Sequence, residues 1–428
     1  MRLLQSMLTA LVNAPVRMAA LGWRQPPGID EDPEAAVDAV LSATGEVSSL
    51  VYASSLLDQI EAMDDGELAA LMTQIATRFD LNGDQLARAA ASYATNPDAA
   101  KLANIAKIAE PEWMELFRRL NATNGGTVRL VRLRERLLRL TRGSSDAARL
   151  DSGLKSLLLM WFNPGFLILQ PIDWSTPANI LEKIIAYEAV HAISSWDDLR
   201  ARLAPVDRRC FAFFHPSMPE EPLIFVEVAL TEAIPRDIDS VLAIDREALP
   251  AESASTAVFY SISNCQAGLA GISFGNFLIK RVAQELQLEH PQLKTFVTLS
   301  PVPGLMRWLR KDNPDLAAQF ATVGDNFWQN NGEALNADLS AAALRYFTKS
   351  DRPDGWPNDP VARFHLGNGA ILENIHCGAD TSPKGIEQAG GMMVNYRYDL
   401  DIVEANHEAF QKTKSVPLSP PLKKALKS

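Results

Sequence analysis

The sequence predicts an α+β protein whose N-terminal part is all-α, and three observations carry that reading. Residues 33–150 repeat apolar side chains at helical spacing with almost no strand-like alternation. Residues 209–215 and 222–230 are apolar and aromatic runs joined by Pro-Ser-Met-Pro-Glu-Glu, a hairpin with a proline-rich connection. Residues 256–304 then read as a strand, a glycine-bearing loop, a helix and a second strand ending in Ser-Pro. At 428 residues the chain exceeds one typical core. The expected division is a helical bundle over 1–150 and a second domain over 151–428, with a helical insertion near 305–350.

In the first domain, Leu68, Leu71, Met72, Ile75 and Phe79 follow the i, i+3, i+4, i+7 pattern, with Asp64 or Asp65 as N-cap. Trp113, Leu116, Phe117 and Leu120 form another stripe, and Asn124-Gly125-Gly126 separates it from the next helix. There Leu130, Leu133, Leu137 and Leu140 line one face, with Arg129, Arg132, Arg136 and Arg139 between them. The arginines read as a solvated face paired with the chain's many carboxylates. Asp80, Asn82 and Asp84 start like a calcium loop, but Gln85 and Ala91 stand where that loop needs Gly and Glu.

From residue 162 a turn leads into a strand, and a helix follows around 177–191. Glu188-x-x-His191 places two metal-ligand types on one face of such a helix. One pair is half of a di-metal motif and HExxH is absent, so no metal is expected. The last strand-like segments are 363–375 and 391–400, which puts His365 at a strand end beside an Asn-Gly turn. Mostly antiparallel strands are expected in this half.

Composition narrows the function. With 47% hydrophobic and 22% charged residues the chain is an ordinary globular protein. A net charge of −11 argues against a general nucleic-acid binder, though it leaves room for a local anion pocket. Three widely spaced cysteines fit a reducing compartment without a disulfide framework. The longest apolar run, 157–169, is broken by Asn163, Pro164 and Gly165, so no membrane span is read. Residues 1–29 carry Arg2, Arg17 and Arg24 and no acidic residue, like a transit segment. Serine is sparse there, and the segment is read as an ordinary first helix. A bacterial cytoplasmic protein is expected, with the mitochondrial matrix as the alternative.

Gly268, Gly271 and Gly275 let the backbone approach a partner closely, and a loop opening into a helix offers free N–H groups to a phosphate. Neither the Walker A nor the Rossmann pattern is present. Gly271-Ile-Ser273-Phe-Gly275 matches the nucleophile elbow GxSxG, and Asp351 or Asp354 and His365 follow in the order of a hydrolase triad. An elbow needs its strand to run directly into the motif, whereas residues 264–270 intervene here.

Ordered blocks across residues 160–400 resemble the malonyl-CoA decarboxylase family: FAFFHPSMPEEPLIFVEVAL (211–230), FYSISNCQAGLAGISFGNFLIKR (259–281), TLSPVPGL (298–305), FHLGNGA (364–370) and NYRYDL (395–400). The segment 165–191 agrees as well. The resemblance implies an N-terminal helical domain and a catalytic domain of the acetyltransferase (GNAT) type. It implies a catalytic serine at Ser300 and a catalytic histidine at His365. CoA contacts would run from Ala270 through Gly271, Ile272, Ser273, Phe274 and Gly275 to Asn276, with Tyr398 near the substrate. Animal members carry a glutamate where this chain has Ser273. The implied reaction turns malonyl-CoA into acetyl-CoA and CO2 without metal, biotin or other cofactor. The alternatives are a thioesterase using Ser273, a GNAT-type acyltransferase, or a silent CoA-binding protein. A homodimer or homotetramer is expected, with no nucleic acid or membrane partner.

Overall fold

The computed structural model describes residues 32–272, 274–320 and 327–427. It divides into two compact units. The first holds the chain up to Phe166 together with His215–Pro219 and Gln266–Ile272; the second holds the rest.

The first unit is helical, as its periodicity predicts. Its helices are α1 (Pro33–Ser42), α2 (Glu46–Ala62), α3 (Asp65–Arg78), α4 (Gly83–Thr95), α5 (Ala99–Ile108), α6 (Glu112–Asn121), α7 (Gly126–Leu140) and α8 (Ser145–Trp161). Asp64 caps α3 in a reciprocal box with Glu67. Leu68, Leu71, Met72 and Ile75 are buried, as are Leu130, Leu133 and Leu137. Asn82 accepts from the Gln85 N–H as the N-cap of α4 and Asp80 pairs with Arg149, so these two calcium-like side chains have partners within the protein. The arginine face of α7 meets carboxylates: Arg129 reaches Asp58 at 2.6 Å and Glu61 at 2.7 Å, and Arg136 reaches Asp65 at 3.0 Å.

Arg134 departs from that pattern. It is 1% exposed, pairs with Asp151 at 2.8 Å, and donates to the carbonyls of Gly268 at 2.6 Å and Ala270 at 3.0 Å. The glycine loop is thereby fastened to α7. A Cβ at Gly268 would overlap the Val131 carbonyl, which is why this approach demands glycine.

The second unit is built on an eight-stranded sheet, β1 (Ile168–Pro171), β2 (Arg208–Phe214), β3 (Ile224–Thr231), β4 (Thr256–Asn264), β5 (Thr295–Thr298), β6 (Ser300–Pro301), β7 (Ile371–His376) and β8 (Met393–Tyr398). Its order is β1-β2-β3-β4-β5-β8-β6, with β7 also on β8. β4 and β5 pair parallel, and the other ladders are antiparallel. A parallel pair needs a crossover. Helices α9 (Ala178–Tyr187), α10 (Trp196–Leu203) and α11 (Ile238–Leu242) precede it, and α12 (Gly275–Glu289) supplies it. This is the strand–loop–helix–strand core read from the sequence. β2 and β3 are buried along nearly their whole length, because both faces are covered. Ile180, Leu181 and Ile184 of α9 with Leu199 of α10 pack against Cys210, Ala212, Phe214 and Phe225.

The insertion after β6 is helical, with α13 (Leu305–Asp312), α14 (Pro314–Ala318) and α15 (Phe327–Thr348). After it come α16 (Pro360–Gly367), α17 (Pro383–Ala389), α18 (Val403–Thr413) and α19 (Pro420–Ala425).

Two expectations are corrected. Residues 363–375 are not one strand. Pro360 sits in the first turn of α16 with Asp359 as N-cap, so His365 rides a helix, and β7 begins only at Ile371. Glu188 and His191 do not share a helix face either. α9 stops at Tyr187, and the Glu188 carboxylate accepts the N–H groups of Val190 and His191, both at 2.8 Å. That local turn engages the Glu188 carboxylate. No helix among the described residues is long and apolar enough to cross a membrane.

Arg134→Ala would leave Asp151 and two loop carbonyls without their donor. A loss of about 3–5 kcal/mol is expected for breaking such a buried pair. Urea unfolding checks it, and a loss below ~1 kcal/mol would mean that Arg134 is not the fastening.

Candidate active site

Three strand and helix segments of the second unit bring four hydroxyls and an imidazole together. β5 ends at Thr298 and β6 begins at Ser300, with the Leu299 N–H still bonded to Phe259 O of β4 at 3.0 Å. The two-residue period puts Thr298 and Ser300 on one face, where the Ser300 hydroxyl donates to Thr298 Oγ1 at 2.8 Å. The same period puts Tyr396 and Tyr398 on one face of β8. The Tyr396 ring stacks on His365 (centroids 4.6 Å apart, 24° between planes), and the Phe364 ring meets it edge-on at 4.9 Å. The Tyr398 hydroxyl lies 2.8 Å from His365 Nδ1, and Ser300 Oγ lies 3.2 Å from His365 Nε2.

The hydrogen bonds have one consistent direction. The Ser300 proton goes to Thr298, so its oxygen accepts from the ring at Nε2–H. His365 Nδ1 then keeps its lone pair and accepts from the Tyr398 hydroxyl. Thr298 is fixed in turn: its Oγ1 accepts the Tyr396 N–H at 3.1 Å and its carbonyl accepts from the buried Asn395 amide at 2.9 Å.

Burial sets the electrostatics. Ser300, His365 and Tyr398 are 5%, 3% and 2% exposed. Desolvation lowers His365 from 6.5 to about 3, with no charged neighbour opposing it, so the ring is neutral at ordinary pH. Desolvation also pushes Tyr398 up, which keeps its proton in place. Asp359 holds the start of the His365 helix. Its carboxylate accepts the Ala362 N–H at 2.8 Å and the Tyr346 hydroxyl at 3.3 Å, and the N–H groups of Val361 and Gly304 also address it. One buried carboxylate therefore ties the loop after Ser300 to the helix of His365. Burial raises it to about 6.

Sequence profiles agree with this arrangement of elements. That of the malonyl-CoA decarboxylase C-terminal domain matches residues 165–428, and that of the N-terminal domain matches residues 79–162. The chain belongs to the malonyl-CoA decarboxylase family. It is 36% identical over 345 residues to the mitochondrial malonyl-CoA decarboxylase of Anser anser anser, covering 72% of this chain and 68% of that one. The Mus musculus mitochondrial protein is 33% identical over 82% of this chain and 80% of its own. Among solved structures, malonyl-CoA decarboxylase from Rhodopseudomonas palustris superposes with a TM-score of 0.87 at 45% identity, covering 93% of this chain and 100% of that one. The Agrobacterium vitis protein gives 0.87 at 46%, over 92% and 98%.

Of the residues singled out in the sequence, Ser300, His365 and Tyr398 come together. Ala270, Gly271 and Ile272 belong to the first unit's loop, while Phe274, Gly275 and Asn276 belong to the second unit, at the start of α12. Ser273 lies outside the described residues. The hydrolase triad does not assemble around His365. Its Nδ1 faces Tyr398, while Asp351 accepts from Trp308 at 2.8 Å and Asp354 pairs with Arg352 at 2.6 Å. Sequence reading missed Thr298, Asp359 and Tyr396. The signals were present: Thr298 and Tyr396 stand two residues from Ser300 and Tyr398, and Asp359-Pro360 is a helix start. Among the described residues no cluster of three metal-ligand side chains occurs.

The folded value of His365 lies below the ordinary 6.5, so protonation disfavours the folded state as pH falls from about 6.5 towards 3. Histidine-selective NMR is expected to show its ring neutral down to about pH 4, whereas a midpoint near 6.5 would contradict the desolvated site. Asp359 has the opposite sign: raised from 3.8 to about 6, its charge works against folding above that window. Asp359→Asn keeps a cap acceptor without the charge. It should melt higher than the parent at pH 8, with the gain fading as pH drops through 6 towards 4. An equal loss at both ends would show that the carboxylate charge costs nothing.

Proposed function

We propose that this chain decarboxylates malonyl-CoA to acetyl-CoA and CO2 at Ser300 and His365. The observation that carries the proposal is the buried, neutral Tyr398–His365–Ser300 hydrogen-bond chain in a member of this family. In the reaction the bond between the α-carbon and the carboxylate breaks, and its electron pair passes into the thioester carbonyl as an enolate. The thioester is its own electron sink, so this chemistry calls for no added cofactor. The protein has two tasks: to favour charge on the enolate over charge on the carboxylate, and to protonate the α-carbon.

The first task suits a site whose imidazole is neutral. A buried imidazolium would hold the malonyl carboxylate as an ion pair and favour the ground state; a neutral ring walled by Tyr396 and Phe364 offers no such partner. Donors aimed at the developing oxyanion supply the rest. The second task falls to the Ser300 hydroxyl with the His365 Nε2–H behind it, since both hold a proton at neutral pH. The start of α12, at Phe274, Gly275 and Asn276, is the positive end of the helix dipole, which suits the CoA pyrophosphate.

Purified protein given malonyl-CoA and no acceptor should release acetyl-CoA and CO2 in equal amounts. Ser300→Ala and His365→Asn should each lower kcat by roughly 10²–10³. Free CoA with malonate would mean thioester hydrolysis and would overturn the proposal, as would full activity in His365→Asn.

A further inference from the structure

Asn368 follows His365 by three residues, at the C-cap of α16. Its backbone duty is ordinary: its N–H bonds the His365 carbonyl at 3.0 Å, at φ −97° and ψ 7°, a conformation open to any residue. The next residue fixes where its side chain goes. Gly369 has φ +84°, and a Cβ there would overlap the Val403 carbonyl, so the turn is held tight against α18.

The side chain is what needs explaining. Asn368 is 1% exposed, and neither its amide nitrogen nor its carbonyl oxygen has a hydrogen-bond partner. An unpaired buried polar group costs stability, which an alanine or leucine would avoid. The amide stands beside the Tyr398 hydroxyl, on the side that favours negative charge on the phenol oxygen, without closing a bond.

We propose that Asn368 is a positioning residue whose amide N–H addresses the Tyr398 oxygen, keeps the Tyr398 hydroxyl donating to His365 Nδ1, and so holds His365 in the Nε2–H tautomer facing Ser300. The oxygen of Tyr398 can accept while its proton is given away, and a donor at that oxygen strengthens the outgoing bond. Without the amide, the Tyr398 hydroxyl is free to rotate off Nδ1 and the ring to change tautomer. The role of the tautomer in turnover rests on the decarboxylase reading above; the tautomer itself does not.

The test therefore has an arm without substrate. In the free protein, histidine-selective ¹⁵N NMR should show His365 protonated at Nε2, and Asn368→Ala should convert it to a tautomer mixture. Asn368→Leu, close in volume, should do the same and serves if the alanine variant folds poorly. An unchanged His365 signal in a folded variant overturns the proposal. In the kinetic arm, Asn368→Ala should lower kcat about tenfold or more with KM within about twofold, and should cost under about twofold in a Tyr398→Phe background. Equal losses in both backgrounds would mean that Asn368 acts on folding or elsewhere, and would overturn it. If the parent protein does not turn over malonyl-CoA while the tautomer responds as expected, the decarboxylase reading fails and the positioning role stands.

Discussion

The exclusion of water from one imidazole is the constraint on which the rest of the structure turns. His365 is held neutral by burial alone, and a buried neutral ring tolerates only partners that match its single donor and single acceptor. Ser300 on one side and Tyr398 on the other meet that requirement. Each partner is then fixed by its own strand: Ser300 through Thr298 at the end of β5, Tyr398 through its place on β8.

The sheet makes this arrangement stiff. β8 pairs with β5, β6 and β7, so the strand bearing Tyr396 and Tyr398 is locked on both edges. The serine segment leaves β5 and re-pairs at Ser300 with Val394, which sets the serine against the tyrosine face. Asp359 supplies the remaining link, between the loop at Gly304 and the start of α16. A carboxylate kept there against its own desolvation trades stability for registration of the serine loop with the histidine helix.

The glycine loop shows the same economy in the first unit. Residues 266–272 take no part in a regular strand, yet the carbonyls of Gly268 and Ala270 are gathered by Arg134, an almost fully buried charge. An arginine fork satisfies two carbonyls and a carboxylate at once, which a lysine in that place could not do.

Much of this was legible in the sequence. The helical stripes of the first third, the hairpin at 208–231 and the strand–loop–helix–strand core are short-range patterns, and local periodicity specifies them. The ordered motif blocks pointed to Ser300 and His365 one by one. What local pattern could not specify is pairing over distance. The His365 segment reads as a strand because its apolar residues are short and clustered, but the Asp359 cap and Pro360 turn it into a helix. The lone arginine that is buried on α7 looks like its exposed neighbours in the sequence, and only its contact with carbonyls 134 and 136 residues away sets it apart. The neutrality of His365, the partnership with Tyr398 and the stranded amide of Asn368 all follow from burial, which is a property of the packed chain. The sequence by itself determined the helical first third, the hairpin and the strand–loop–helix–strand core, and it singled out Ser300, His365 and Tyr398; tertiary structure decided that His365 rides a helix, which partners these side chains meet and how they are protonated, because desolvation exists only once the elements close around the ring.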